Sequence, residues 1–223
     1  MQEDLNLFGN FGQQYETLRS LFPAEHFTRE RKERLDELFR FSEAKWEENL
    51  RRLNNVEVKY LLIAEALLWP KSHSVSYFYD SCDGPWVNRI WKASFDFPKP
   101  ADPKHALDLF ASKGFLLVDS LPFAENYSGR RSHEKYRQLV RSCSPFLLEK
   151  LSRDTIVWAD NVKVALAFKL NGQAIIKSHP AGIRLPTGQV IRLTDELICA
   201  DGSGYTNSAK LRSVFGISAP DAS

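Results

Sequence analysis

Cysteine is scarce and scattered in this 223-residue chain. Its three cysteines, Cys82, Cys143 and Cys199, lie far apart and form no CxxC pair. A zinc or iron–sulfur site made of four cysteines is therefore excluded, and the pattern favours reduced thiols that pack as core or surface residues.

Long apolar runs and a strong net charge are also missing. No run approaches the roughly 18 apolar residues of a membrane-spanning helix, and the acidic start MQEDLNLF lacks the basic and then apolar plan of a signal peptide. We therefore expect no membrane association and a cytoplasmic protein. The formal net charge is only +2, so nucleic-acid binding would have to come from local basic patches.

What the chain does have is enough apolar material for a packed core, with 43% hydrophobic and 12% aromatic residues. Between Thr28 and Leu53 charge is dense and apolar residues recur at helical spacing, which predicts an amphipathic helix. We expect a helical N-terminal extension over residues 1–55 and an α/β domain over residues 56–223, in a monomer.

Short apolar runs alternate with helical segments from Val58 onward. This alternation predicts a three-layer α/β/α fold with a mainly parallel central sheet of four to five strands. Asp102 before Pro103 predicts a helix start and Gly114 the end of that helix, while Asn171-Gly172 predicts the end of a later helix over 162–170. Prolines and glycines between two β-prone runs predict an inserted hairpin at 173–194.

Acidic residues follow several of the predicted strands. In open α/β sheets ligands bind beyond the carboxyl ends of the strands, so these positions are where chemistry is expected. For Asp160 and Asn161 we favour a capping role over a catalytic one. Asp119 stands out because it ends the buried run Phe115 to Val118, where an unpaired carboxylate is costly. The acids that remain as candidates are Glu65, Asp119 and Asp201.

Four segments at these strand ends together resemble the uracil-DNA glycosylase superfamily, over about residues 58–216. AEALLW at 64–69, with YFYD downstream at 77–80, resembles the water-activating segment GQDPY or GEAPG and the aromatic on which the flipped base stacks. GFLLVD at 114–119 resembles GVLLLN, whose final Asn reads uracil. IVWADNVKVAL resembles LLWG-x-x-A, and LICADGSGYTNSAKL resembles the strand, HPSPL loop and helix that supply a catalytic His.

The resemblance implies a role for each matching residue. Glu65 would orient the attacking water, with Asp201, which stands at the His of the fourth segment, as second choice. Phe78 would stack on the flipped base, with Trp86 as runner-up. Tyr205 would wedge into the gap that the base leaves. We leave open that Glu65 is only an acid paired with an Arg, and that the aromatic residues are core.

Departures from the family pattern bear on both the chemistry and the substrate. Ala66 stands at the catalytic Asp of the uracil-excising branch, and the fourth segment has no His. His179, in SHPAG, is the alternative catalytic His, although β-prone residues rather than a helix follow it. The iron–sulfur branch needs four cysteines and is excluded.

Asp119 carries the prediction about substrate. An Asn amide both accepts from uracil N3–H and donates to O4, whereas an ionised carboxylate only accepts, and the amino group of cytosine is its natural partner. Leu68 stands where the Tyr of GQDPY crowds the C5 position, and Ala64 and Ala66 are small. We therefore predict excision of a C5-modified cytosine, such as hydroxymethylated or glucosylated cytosine in viral DNA, which would make the protein a defence enzyme.

DNA is the expected partner, and no cofactor or metal is expected. Basic residues within the segment GRRSHEKYRQLVR and after the fourth segment are candidates for phosphate contacts. They are Arg130, Arg131, Lys135, Arg137, Lys210 and Arg212.

Other functions remain open at this point. One is a uracil-excising repair glycosylase, and another is a glycosylase-like protein that binds DNA without catalysis. A nucleotide-binding hydrolase or transferase on the same architecture lacks support, because the chain contains no GxGxxG, GxxxxGK[ST] or GxSxG.

Overall fold

The computed structural model describes residues 6–70, 75–131, 133–201 and 206–218. Its centre is a sheet of three parallel strands in the order β2-β1-β3, with bounds Val58–Ala64 (β1), Phe115–Asp119 (β2) and Trp158–Leu166 (β3). All of β2 and the last four residues of β1 are buried, as expected for parallel strands covered by helices. The parallel sheet flanked by helices confirms the predicted α/β fold class.

In the described part of the chain three α-helices and one short 3-10 helix, Ala24–His26, precede the sheet; the α-helices are Leu7–Asn10 (α1), Gly12–Arg19 (α2) and Arg29–Leu53 (α3). Thr28 begins α3, because its side chain accepts a hydrogen bond from the backbone N–H of Arg31. The apolar face of α3 is buried in the same hydrophobic cluster as the strands. The predicted helical N-terminal region is thus present, and it packs onto the core.

The connection from β1 to β2 contains two helices, Pro85–Ser94 (α4) and Pro103–Ser112 (α5). Asp102 caps α5 as predicted, by accepting hydrogen bonds from the backbone N–H groups of Lys104 and His105. Gly114 follows α5 at φ +74°, and a Cβ there would lie 2.2 Å from the backbone oxygen of Glu57. Only glycine fits this close approach at the start of β2.

Between β2 and β3 the predicted helical stretch is two helices, Glu134–Ser142 (α6) and Ser144–Leu151 (α7). The prediction after that was wrong. The expected helix over 162–170 is the second half of β3, and the helix that follows is Lys169–Ser178 (α8). Asn171 and Gly172 lie inside α8 rather than at a helix end.

Asp160 and Asn161 therefore do not cap a helix. Val58 pairs with Trp158 but Tyr60 pairs with Lys163, so residues 159–162 bulge out of the ladder and carry these two side chains to the surface.

The predicted hairpin is present but shorter than expected. It pairs Ile183–Arg184 (β4) with Val190–Ile191 (β5) in antiparallel register, and Ser208–Phe215 (α9) is the last described helix. The predicted fourth strand, in ELICAD, amounts to two isolated bridges, a parallel one between Leu166 and Ile198 and an antiparallel one between Ala200 and Thr206. No helix in the described ranges has an apolar stretch long enough to cross a membrane.

Two tyrosines run alongside β2, which is an edge strand. The hydroxyl of Tyr79 donates to the backbone oxygen of Leu117 at 2.7 Å and accepts from its N–H at 2.6 Å. The hydroxyl of Tyr77 donates to Oδ2 of Asp119 at 3.1 Å. Segment 77–79 therefore occupies the outer side of β2.

Candidate active site

A cleft of about 810 Å³ opens beyond the carboxyl ends of β1 and β2. Residues 64–69, which follow β1, line it together with Asp119 at the end of β2 and Phe168 after β3. The connections from β1 and β3 leave in opposite directions across the sheet, and such a switch point is where α/β folds bind ligands. Ala64 pairs with Asp119 in the sheet, so Glu65 lies one residue beyond this pair, and both Glu65 and Asp119 line the cleft.

Asp119 is 6% exposed and lines this cleft. Burial raises the pKa of its carboxyl to about 6, although nearby Lys150 and the hydrogen bond from Tyr77 both act to lower it. Burial also raises the pKa of the Tyr77 hydroxyl well above 10, so this hydroxyl stays a donor. Among the described residues Oδ1 of Asp119 accepts no hydrogen bond, and no backbone N–H binds either oxygen. The carboxyl is therefore not a helix cap and has one oxygen available to a ligand.

Glu65 is 2% exposed and has both oxygens engaged. Arg131 Nε donates to Oε1 at 2.8 Å and its Nη2 to Oε2 at 2.5 Å, while the Tyr136 hydroxyl also donates to Oε1. Asn171 Nδ2 in turn donates to the Tyr136 hydroxyl at 3.1 Å. A carboxylate held in this way is an ion-pair partner, the alternative left open from the sequence, and not a base free to accept a proton. Arg131 likewise binds Glu65 rather than serving as a free phosphate contact.

A second buried acid, Glu125, lines the same cleft and was not predicted. Arg31 of α3 donates to both of its oxygens, at 2.7 Å each, and His26 Nε2 lies 3.3 Å from Oε1. His26 stacks face to face on Phe22, with ring centroids 4.3 Å apart and planes 10° apart. The N-terminal region therefore forms one wall of the cleft.

Aromatic rings line other parts of the cleft. Phe78, the predicted stacking residue, is 3% exposed and packs on Phe110 and Phe115, so most of its ring belongs to the core. The runner-up Trp86 is half-buried and stacks on Phe168 with planes 18° apart, while its Nε1 donates to Thr206 Oγ1 at 2.9 Å. Trp86 therefore presents more ring to a ligand than Phe78 does.

Leu68 and Trp69 lie on the segment that follows β1. Leu68 is 60% exposed and lines the cleft, as its predicted place beside a base requires. The ring of Trp69 lies 3.7 Å beneath the guanidinium of Arg31, so this wall is joined to α3 by a cation–π contact.

The structure does not bring the other two catalytic candidates to the cleft. Asp201 lies 3.6 Å from Arg89, and His179 ends α8, where burial lowers its pKa. Neither residue is among the described residues that line the cleft. Tyr205, the predicted wedge, lies outside the described residues, as do residues 202–204 of the fourth segment.

The remaining basic candidates mostly make contacts within the protein. Arg130 lines the cleft with its guanidinium 5.3 Å from the Phe22 ring. Lys135 donates to the Ser20 carbonyl at 3.1 Å, and Arg137 pairs with Glu134 at 2.9 Å. Arg212 pairs with Asp96 at 2.5 Å and donates to the Ser218 carbonyl at 2.7 Å. Lys210 is exposed on α9. Arg130 is therefore the predicted phosphate contact best placed to meet a ligand at the cleft.

Sequence reasoning found Glu65, Asp119, Leu68 and Trp86, which the structure brings together. It missed His26, Glu125 and Phe168, for which no motif or spacing gave a signal. The chain matches no protein-family model, no curated protein and no solved structure.

Proposed function

We propose that this protein is a DNA glycosylase that flips a C5-modified cytosine into the cleft, excises it and leaves an abasic site. The observation that carries the proposal is the Asp119 carboxyl, buried in the cleft with Oδ1 unbonded among the described residues. The resemblance of four strand-end segments to the uracil-DNA glycosylase superfamily supports the reaction class.

Hydrogen-bond chemistry favours cytosine over uracil at this carboxyl. The ionised form accepts from the amino group of cytosine. With a pKa of about 6, the Asp119 carboxyl is mainly ionised at neutral pH. Uracil presents O4 and N3–H instead, and the ionised carboxyl repels O4.

The size of the cleft supports a substituent on the base. A volume of about 810 Å³ lies in the range of sites that hold drug-sized ligands, and a bare pyrimidine ring occupies only a small part of it. Leu68 and Ala66 line the cleft where the uracil-excising branch places bulkier groups. A hydroxymethyl or glucosyl group at C5 fits this opening. A protein with this substrate would attack modified viral DNA and act in defence.

One observation favours a second candidate, a protein that binds a flipped base without excising it. Glu65, the first choice for activating water, has both oxygens engaged by Arg131 and Tyr136. Base release separates the two candidates directly.

Duplexes carrying one uracil, cytosine, 5-hydroxymethylcytosine or glucosylated 5-hydroxymethylcytosine test the proposal. The expected result is an alkali-labile abasic site only with a modified cytosine. Asp119→Asn should weaken action on cytosine-type bases by about 1–3 kcal/mol, or roughly 5- to 150-fold, and move selectivity towards uracil. Asp154→Asn, in an exposed turn before β3, is the control and should act like the wild type.

Three results would contradict parts of this proposal. Abasic sites with uracil alone would instead indicate a repair glycosylase. Tight binding with no base release from any duplex would favour the second candidate. Unchanged selectivity in Asp119→Asn would refute the role given to this carboxyl.

A further inference from the structure

The cleft contains a carboxylate–imidazole pair besides the residues used above. Glu125 is 1% exposed and is fixed by Arg31, which donates to both of its oxygens. Nε2 of His26 lies 3.3 Å from Oε1 of Glu125, and the His26 side chain is 26% exposed. Both residues line the cleft that also contains Asp119. An imidazole that is held from behind by a buried acid and is open to a cleft is the arrangement of a general base.

The pairing assigns the two ring nitrogens of His26. An ionised carboxylate only accepts hydrogen bonds, so in the neutral ring Nε2 carries the hydrogen and Nδ1 carries the lone pair. Within the described part of the chain Nδ1 has no hydrogen-bond partner. Stacking on Phe22 and an edge contact with Phe27 fix the plane of the ring.

We propose that His26 is the general base that activates water in the base-release reaction, with Glu125 as its positioning residue. This inference rests on the proposed glycosylase function. The fourth segment lacks the family's catalytic histidine, and this inference places a catalytic histidine in the N-terminal region instead. His26 takes the role of activating water, which Glu65 cannot take because its carboxylate is engaged.

The reaction is a hydrolysis that balances without a further reactant. Water bonds through its oxygen to C1′ of the sugar, and one of its protons passes to Nδ1 of His26. The N-glycosidic bond breaks, and its electron pair leaves with N1 of the base. The imidazolium then returns its proton to the base or to solvent, so that the sum is one water added across the bond.

The charged groups around His26 come from three elements. Glu125 lies in the loop after β2, Arg31 is on α3, and Arg130, in the loop before α6, lies against Phe22 on which the imidazole stacks. The test must therefore distinguish loss of the general base His26 from disturbance of the ion pairs around it.

The experiment measures release of 5-hydroxymethylcytosine and of glucosylated 5-hydroxymethylcytosine from duplexes under single-turnover conditions, for the full chain at pH 7.5. His26→Gln should slow release about a hundredfold or more and leave duplex affinity unchanged. In His26→Ala, added imidazole should restore part of the rate. His105→Gln, an exposed histidine in the first turn of α5, is the matched control and should follow the wild type.

Each outcome decides one point. If the wild type releases none of the tested bases, the proposed function and this inference fail together. If the wild type releases the base and His26→Gln releases it equally fast, only the role of His26 fails. A slower His26→Gln together with a His26→Ala that imidazole does not rescue would mean a structural role and would also overturn the inference.

Discussion

Replacing the Asp119 carboxyl by an amide tests whether this acid is kept for a ligand rather than for the fold. Burial raises its pKa from 3.8 to about 6, so the folded protein holds the proton more tightly than the unfolded chain does. An Asn side chain has nearly the same shape, and its amide oxygen still accepts the hydrogen bond from Tyr77. Asp119→Asn should therefore stabilise the protein at neutral pH.

The magnitude follows from the two pKa values. Below about pH 3.8 the carboxyl is protonated in both the folded and the unfolded state, so wild type and Asp119→Asn should be nearly equal in stability. As the pH rises to about 6, the unfolded chain ionises first and the wild type loses stability. The interval from 3.8 to about 6, at about 1.4 kcal/mol for each pH unit, comes to about 3 kcal/mol.

Urea unfolding at pH 3.5 and pH 7.5 measures this difference. Asp119→Asn should exceed the wild type by about 3 kcal/mol in free energy of unfolding at pH 7.5 and by little at pH 3.5. The surface control Asp154→Asn should stay within about 0.5 kcal/mol of the wild type at both. A wild type that is the more stable protein at pH 7.5, or a gap that does not change with pH, would refute the reasoning.

Two further predictions concern stability, both measured by urea unfolding at pH 7.5. Lys150 and Glu43 form a buried ion pair at 2.6 Å, so Lys150→Met should lower the free energy of unfolding by about 3–5 kcal/mol. The double variant Lys150→Met with Glu43→Leu should recover most of that loss. Losses that simply add would argue against the pair. Gly114 and Gly129 both have positive φ, so replacing either by Ala should cost about 1–3 kcal/mol in backbone strain. Gly114→Ala should lose more stability than Gly129→Ala, because of the two only Gly114 would place a Cβ against backbone, 2.2 Å from the Glu57 oxygen. Equal losses would contradict this clash.

The first two strands could be predicted from sequence because each is a continuous apolar run with a clear boundary. Only the start of the third could be, because Asp160, Asn161 and Lys163 interrupt its apolar pattern, the first two of them where the strand bulges towards solvent. Gly172 was mistaken for a helix end. It lies inside α8 because a Cβ there would be 3.1 Å from the side chains of both Leu166 and Ile198, so the close packing of helix on sheet needs a glycine.

The acids Glu65 and Asp119 were predictable because each follows a strand. Pairing of Ala64 with Asp119 brings the ends of β1 and β2 level, and a strand-end argument reaches both Glu65 and Asp119. The residues that give these acids their chemistry come from distant parts of the chain: Arg131 engages Glu65 across 66 positions and His26 approaches Glu125 across 99. Such pairings depend on how helices pack on the sheet, which a single sequence does not reveal.

The tyrosine pair beside β2 has a consequence for association between chains. An edge strand presents unpaired N–H and C=O groups that can recruit a strand from another molecule. Tyr79 satisfies both groups of Leu117 with one hydroxyl, and Tyr77 covers the next outward position by binding the Asp119 side chain. The segment that holds the carboxyl of Asp119 in place therefore also protects this edge against strand addition and the aggregation that follows from it.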